Sequence, residues 1–283
     1  MQSSAKTRYV LSVVLFGTIG LCLRFVKLPS EIVVMCRGLI GSAFILIFRL
    51  VTGAKPDAAA IRKNLRWLLL SGACLGFNWI FLFAAYLTTT VAAASLVNYT
   101  APIMLVAAAP ILYTERLGGK KLLCILAALI GVVLISGLIG GESVRLDGIF
   151  YAFLAALGFA ALVVFNKKLD GITPYDRAIT QLFISALVVM PYVLWRNLGS
   201  SIELDPVSVG ITIMLGVLQT GAAYILYFGS ITEIPVTTFA VLGYLEPAIN
   251  VLASALVLGE PMGLAGWLGA ALIIGAAVVS EII

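Results

Sequence analysis

The chain has no histidine, and only 11% of its 283 residues are charged. The first absence removes the commonest general base and metal ligand. There is also no H-E-x-x-H, no G-x-x-x-x-G-K-[ST] and no pair of aspartates inside an apolar run, so metal-dependent hydrolysis and nucleotide-driven pumping are not expected, nor is any cofactor or metal site. Cysteine is scarce. Cys22, Cys36, Cys74 and Cys124 fall in four different apolar segments without C-x-x-C spacing, which argues against a disulfide framework or a zinc site and leaves them as small buried fillers. Long polar linkers are scarce too: "RLVTGAKPDAAAIRKNLR" and then "NLGSSIELDP" are the longest, too short for a soluble domain.

What is present is apolar. With 62% hydrophobic residues and a mean hydropathy of +1.13, the chain reads as an integral membrane protein in a lipid bilayer. A helix needs about 20 apolar residues to cross the hydrocarbon layer. Cutting at charges, Gly/Pro and polar clusters gives ten spans, at 9–28, 32–51, 66–87, 91–113, 120–139, 147–166, 175–194, 207–229, 235–258 and 262–282. The net charge of +5 belongs to orientation and not to nucleic acid. With the N-terminus inside, thirteen basic residues, from Lys6 and Arg8 to Lys168 and Arg177, lie on the cytoplasmic side, against Arg24, Lys27, Arg145 and Arg196 outside. Both termini are therefore expected in the cytoplasm. The opening "MQSSAKTRYV" puts basic residues before an apolar run, but no small-residue cleavage site follows, and the first segment reads as a retained helix.

Slid against itself by 145 residues, the chain aligns 29–118 with 174–263 without a gap, pairing Gly76 with Gly221, Tyr99 with Tyr244, Pro102 with Pro247, Glu115 with Glu260 and Gly118 with Gly263. The offset carries five spans. Five is odd, so the second copy enters the membrane from the opposite side, the inverted repeat common in secondary transporters. The expected fold is an all-α membrane protein of ten transmembrane helices, arranged as two inverted-topology five-helix repeats around a central cavity. The first repeat takes 1–140 (helices 1–5) and the second 141–283 (helices 6–10).

The repeat ends "ERLGGKKLLCILAALIGVVLIS" and "EPMGLAGWLGAALIIGAAVVS" resemble the EamA domain of the drug/metabolite transporter superfamily, with Glu115, Gly118, Glu260 and Gly263 matching its Glu-x-x-Gly signature. Length, tandem domains and aromatic-rich third and eighth segments are similar to that superfamily's bacterial aromatic amino-acid exporters. The resemblance implies alternating access by two inverted halves, export of tryptophan, phenylalanine or methionine, a bacterial inner membrane location and a monomeric chain.

Polar residues inside spans mark a candidate site. On the fourth segment Ser95, Asn98, Tyr99 and Pro102 share one face, and on the ninth Gly243, Tyr244, Pro247 and Asn250 do the same, with Glu246 at the edge. Pro102 and Pro247 are candidate hinges; each frees the carbonyl four residues back, which either faces the cavity or merely shapes packing. The third segment offers Asn78 and Trp79, and the eighth Gln219, Thr220, Tyr224 and Tyr227, each either lining the cavity or packing. Phe16, Phe159 and Asn166 are weaker candidates. Tyr86, Trp67 and Trp195 read as interface belts. The only basic residue clearly inside a span is Arg37, near one end, too little for a sugar-phosphate site. Glu246 is the one intramembrane acid, serving either a structural hydrogen bond or coupling. The substrate expected is a small amphipathic molecule, an amino acid with a large apolar side chain; proton-coupled efflux of hydrophobic cations and a passive channel are the alternatives.

Overall fold

In a computed structural model the described residues are 2–89, 91–112, 118–135, 145–198, 204–258 and 263–282. The first span is α1 (Gln2–Gly17) with the short α2 (Ile19–Leu23). The second and third are α3 (Ser30–Val51) and α4 (Ala58–Thr88). The fourth is broken into α5 (Val91–Asn98) and α6 (Ala101–Leu112), and α7 (Gly119–Ile135) is the fifth. The sixth and seventh are α8 (Leu146–Asn166) and α9 (Pro174–Arg196). The eighth joins α10 (Pro206–Met214) to α11 (Ala223–Ser230) through a π-helical segment, Leu215–Ala222. The ninth is broken into α12 (Val236–Gly243) and α13 (Leu245–Leu258), and α14 (Leu264–Ile282) is the tenth. Seven of these are long and apolar enough to cross a membrane by length and composition. The broken fourth span, α7 and α14 complete the ten.

Local chemistry explains several helix starts. Asp57, Thr173 and Asp205 each accept a hydrogen bond from a backbone N–H in the first turn of the helix that follows, and Pro174 and Pro206 occupy first-turn positions that need no donor. The Asp57 cap starts α4 at Ala58, eight residues before the expected 66. The basic run Arg62–Arg66, expected as linker, is helical because its residues are good helix formers behind a capped start.

The 145-residue offset carries over to the helix boundaries. Adding 145 moves Val91–Asn98 onto Val236–Gly243, places the break at Tyr99 on the break at Tyr244, and sets the start of α7 on the start of α14. Packing follows the same two-fold: α3 packs on α9 and α7 on α14, while α4 against α8 is mirrored by α1 against α11. Small residues permit the close approach. A Cβ on Gly131 would lie 2.7 Å from the Gly269 carbonyl oxygen, and one on Gly76 2.9 Å from that of Ser185.

The broken spans meet at their breaks, where the Tyr244 hydroxyl donates to the Tyr99 carbonyl at 2.8 Å. From there the halves part. Toward the face that carries the start of α1, α12 packs on α6; toward the other face, α5 leans on α4 and α8, and α13 on α1, α2, α7 and α14. The N-terminal face is closed by further bonds. Arg8 pairs with Glu233 at 2.7 Å, the Tyr9 hydroxyl donates to the Phe239 carbonyl at 3.1 Å, Arg177 donates to the Phe228 carbonyl at 2.8 Å, and buried Asp176 pairs with Arg49.

Candidate functional site

Phe16, Tyr224 and Tyr227 form one aromatic cluster, with ring centroids 5.0 Å (Phe16–Tyr224), 5.9 Å (Phe16–Tyr227) and 5.7 Å (Tyr224–Tyr227) apart. Below it, toward the N-terminal face, the Tyr9 and Phe239 rings meet tilted by 33°, with centroids 4.7 Å apart. Aromatic faces at these separations attract one another beyond their shared burial and present a polarizable wall to a planar or apolar group.

The wall is edged with polar atoms. Gln219 is buried and its amide nitrogen reaches Thr18 Oγ1 at 3.5 Å and Cys22 Sγ at 3.6 Å, both long, while its Oε1 is buried with no partner among the described residues. The Tyr227 hydroxyl is likewise buried without one. A buried polar atom left unpaired costs about 1–3 kcal/mol, so two at one wall are a departure that packing does not explain.

Two opposite charges complete the site. Arg37, on α3, is buried and its Nε donates to Thr220 Oγ1 at 3.0 Å; among the described residues that is its one hydrogen-bond partner. Glu246 stands in the first turn of α13, half-buried, and among the described residues nothing hydrogen-bonds or ion-pairs with its carboxylate. Its charge lies within electrostatic range of Tyr9, Tyr86, Tyr99, Tyr224, Tyr227 and Arg37, which places it at the centre of the bundle. The helix N-terminus behind it favours an anion. An ionised Arg or acid at the middle of a membrane helix costs about 2.5–3.5 kcal/mol on insertion scales, so two that do not pair with each other are expensive.

The π-helical segment explains how Gln219 and Thr220 come to face this space. Its repeat mate, residues 70–77 of α4, is ordinary α-helix, and π-helical segments recur at functional sites. Glycines let α3 lie against it: a Cβ on Gly41 would meet Thr220 Cγ2 at 3.0 Å and the Gly216 carbonyl oxygen at 3.1 Å. The repeat is broken in chemistry here as well. Arg37, Gln219, Thr220, Glu246 and Asn250 map onto Leu182, Cys74, Leu75, Ala101 and Leu105, so the polar residues of this site belong to one side of an otherwise symmetric scaffold.

The remaining candidates are placed elsewhere. Asn78 donates to Asn98 Oδ1 at 3.2 Å and to the Ala155 carbonyl at 2.8 Å, stitching α4, α5 and α8 together. Trp79 is half-buried beside Gly38 of α3, and Phe159 is half-buried against the main core. Asn166 is fully buried and exchanges both amide bonds with Gln181, at 3.1 and 2.9 Å. Tyr99 is half-buried, whereas Tyr244 is fully buried and spends its hydroxyl on Tyr99. Asn250 lies against Gly20, where a Cβ would fall 2.3 Å from its Oδ1. Pro102 and Pro247 stand in the first turn after each break. Glu115 and Glu260 lie outside the described residues, and the neighbouring Gly118 and Gly263 are exposed. Sequence reading undervalued Arg37, whose replacement by Leu182 in the repeat was the available signal; Thr220, one of its eighth-segment candidates, is replaced by Leu75 in the same way.

A family model described as the EamA-like transporter family matches residues 9–137 and again 146–281. The chain belongs to the EamA-like transporter family. This EamA-like transporter is a multi-pass membrane protein of the drug/metabolite transporter superfamily. It is 27% identical over 261 residues to the uncharacterized transporter YxxF of Bacillus subtilis, covering 91% of this chain and 83% of that one. It is 30% identical over 255 residues to the uncharacterized transporter YdfC of the same organism, covering 87% and 79%. A probable amino-acid metabolite efflux pump of Salmonella typhimurium is 27% identical over 179 residues, 60% of each chain. A protein crystal structure with 22% sequence identity superposes over 100% of this EamA-like transporter and 99% of its own chain with a TM-score of 0.86, the same fold.

Proposed function

We propose that this EamA-like transporter carries amino acids with large apolar or aromatic side chains across the membrane by alternating access. The observation that carries the reading is the aromatic wall of Phe16, Tyr224 and Tyr227 with Arg37 and Glu246 beside it, each charge without an ion-pair partner among the described residues. A mostly apolar site with a few fixed polar groups suits a small amphipathic ligand. The similarity to a protein named as a probable amino-acid metabolite efflux pump points the same way. Efflux of hydrophobic cations is the weaker reading, because the guanidinium of Arg37 stands within range of the same carboxylate and repels a second cation.

The two repeats rock about the crossing of Tyr99 and Tyr244, with Pro102 and Pro247 absorbing the bend as hinges. The N-terminal face, with both termini, lies in the cytoplasm of a bacterial inner membrane in this reading, which its excess of basic residues supports. The protein works as a monomer on a small-molecule substrate.

Purified protein in liposomes loaded with tryptophan is expected to exchange labelled amino acid across the bilayer, saturably and with competition by phenylalanine and leucine. Flux without saturation or counterflow would make it a channel. Failure of every hydrophobic amino acid to compete would overturn the substrate class.

A further inference from the structure

We infer that Arg37 and Glu246 form the two ends of a zwitterion clamp, Arg37 receiving the α-carboxylate of the ligand and Glu246 its α-ammonium. The inference rests on the amino-acid reading above and deepens it, assigning which atoms of the ligand each residue reads.

The two charges sit on different helices, α3 and α13, within electrostatic range of each other yet without forming an ion pair. In the empty protein each is held in place by something other than its opposite. Arg37 is oriented through Nε by Thr220, which leaves its two terminal nitrogens for a carboxylate in the forked geometry that guanidinium prefers. Glu246 is backed by the start of α13. An α-amino acid carries a carboxylate and an ammonium on one carbon, the pair of charges that an unpaired guanidinium and an unpaired carboxylate would together receive.

The wall between them fits the remainder of such a ligand. Thr220, which holds Arg37, stands one helical turn before Tyr224 on the eighth span, so the Arg37 end of the clamp borders the aromatic cluster. The side chain then rests on Phe16, Tyr224 and Tyr227. Gln219 Oε1 and the Tyr227 hydroxyl, both buried without partners among the described residues, are placed to take up ligand N–H and acceptor groups. The 145-residue mates of Arg37, Gln219 and Glu246 are Leu182, Cys74 and Ala101. Each repeat therefore supplies one charge of the clamp, Arg37 from the first and Glu246 from the second, and neither charge has a symmetric copy.

The test uses full-length protein in proteoliposomes loaded with phenylalanine. Competitors are phenylalanine, phenethylamine, which lacks the carboxylate, and 3-phenylpropionate, which lacks the ammonium. Wild type is expected to prefer phenylalanine over either analogue by roughly tenfold or more, because a site built for a polar group rejects a ligand lacking it. Arg37→Gln is expected to lose the discrimination against phenethylamine and keep that against 3-phenylpropionate, while Glu246→Gln does the reverse. Arg37→Lys, which keeps the charge without the fork, is expected to retain the wild-type order at reduced contrast. Monodispersity in detergent and a cooperative melt identify any variant that fails to fold, and Arg37→Lys and Glu246→Asp then carry the comparison. Phenylalanine exchange with equal competition by all three compounds, or variants that weaken all three alike, would overturn the clamp and leave amino-acid transport standing. Absence of exchange for phenylalanine, tryptophan and leucine in wild type would overturn the transport reading itself.

Discussion

Tyr227 shows how a single buried atom can be read for function. Its ring is wedged among Tyr9, Phe16, Tyr224 and Phe239, and its hydroxyl is buried without a partner among the described residues. If that hydroxyl served only the resting fold it would be satisfied, since leaving it unpaired costs on the order of 1–3 kcal/mol. Tyr227→Phe is therefore expected to leave the ligand-free protein as stable as wild type or more stable, by about 1 kcal/mol. Stabilisation by added phenylalanine is expected to shrink in the same variant. Thermal melts with and without the amino acid check both; a lower melting temperature without ligand would mean that the hydroxyl is satisfied in the resting state. The aromatic residues were legible in the sequence because their spacing on mid-span helices is visible in one dimension. Arg37 was not, because its depth depends on where α3 begins and on the hydroxyl of Thr220, 183 residues away, that draws its guanidinium inward.

At the level of helices, the repeat predicted more than the hydrophobic runs did. Apolar length alone marks the spans, but the 145-residue offset also aligned the two Tyr-x-x-Pro segments, and both helices are broken there. Sequence reading took the prolines as hinges that interrupt the helical bonding of each span. The structure instead starts a new helix just before each one, because proline is well accommodated in a first turn, where its missing N–H has no role. The π-helical segment was not legible at all: Leu215–Ala222 has a composition that suits an ordinary helix, and its widened turn appears only when packed against Gly41 of α3. The α2–α13 contact offers a test at this scale. Gly20 lets Asn250 approach so closely that an added methyl would meet its Oδ1 at 2.3 Å. Gly20→Ala is expected to destabilise by about 1–3 kcal/mol through overpacking. Pairing it with Asn250→Ala opens room for the methyl and is expected to recover most of the loss, measured as a double-mutant cycle by thermal melting. Additive losses would show that the two residues do not meet.

For the whole molecule, the alternating access proposed above requires the scaffold to open to one side and then to the other, and the described contacts close one of those sides. The inner halves α6 and α12 pack together while α5 and α13 lean on different neighbours, and the N-terminal face is bonded shut by Arg8 with Glu233 and by Tyr9 with Phe239. On the proposed cycle, the site in this state is reached from the face opposite the N-terminus. In a functional variant that keeps Cys22 and has its other three cysteines replaced, Cys22, 3.6 Å from the Gln219 amide, is expected to react with a membrane-impermeant maleimide added to that face, and phenylalanine is expected to slow the reaction. Arg8 and Glu233 are both partly exposed, at 35% and 42% of their side-chain surface, so their pair contributes only about 0.2–1 kcal/mol to the closed N-terminal face. Adding Arg8→Ala and Glu233→Ala is expected to move the population toward opening on the N-terminal face and to lower the labelling rate, by up to about fivefold if the pair's full worth biases the equilibrium. Labelling from the N-terminal face alone would place the entrance on the wrong side. A rate indifferent to loss of the Arg8–Glu233 pair would assign closure of that face to Tyr9 and the α6–α12 contact instead.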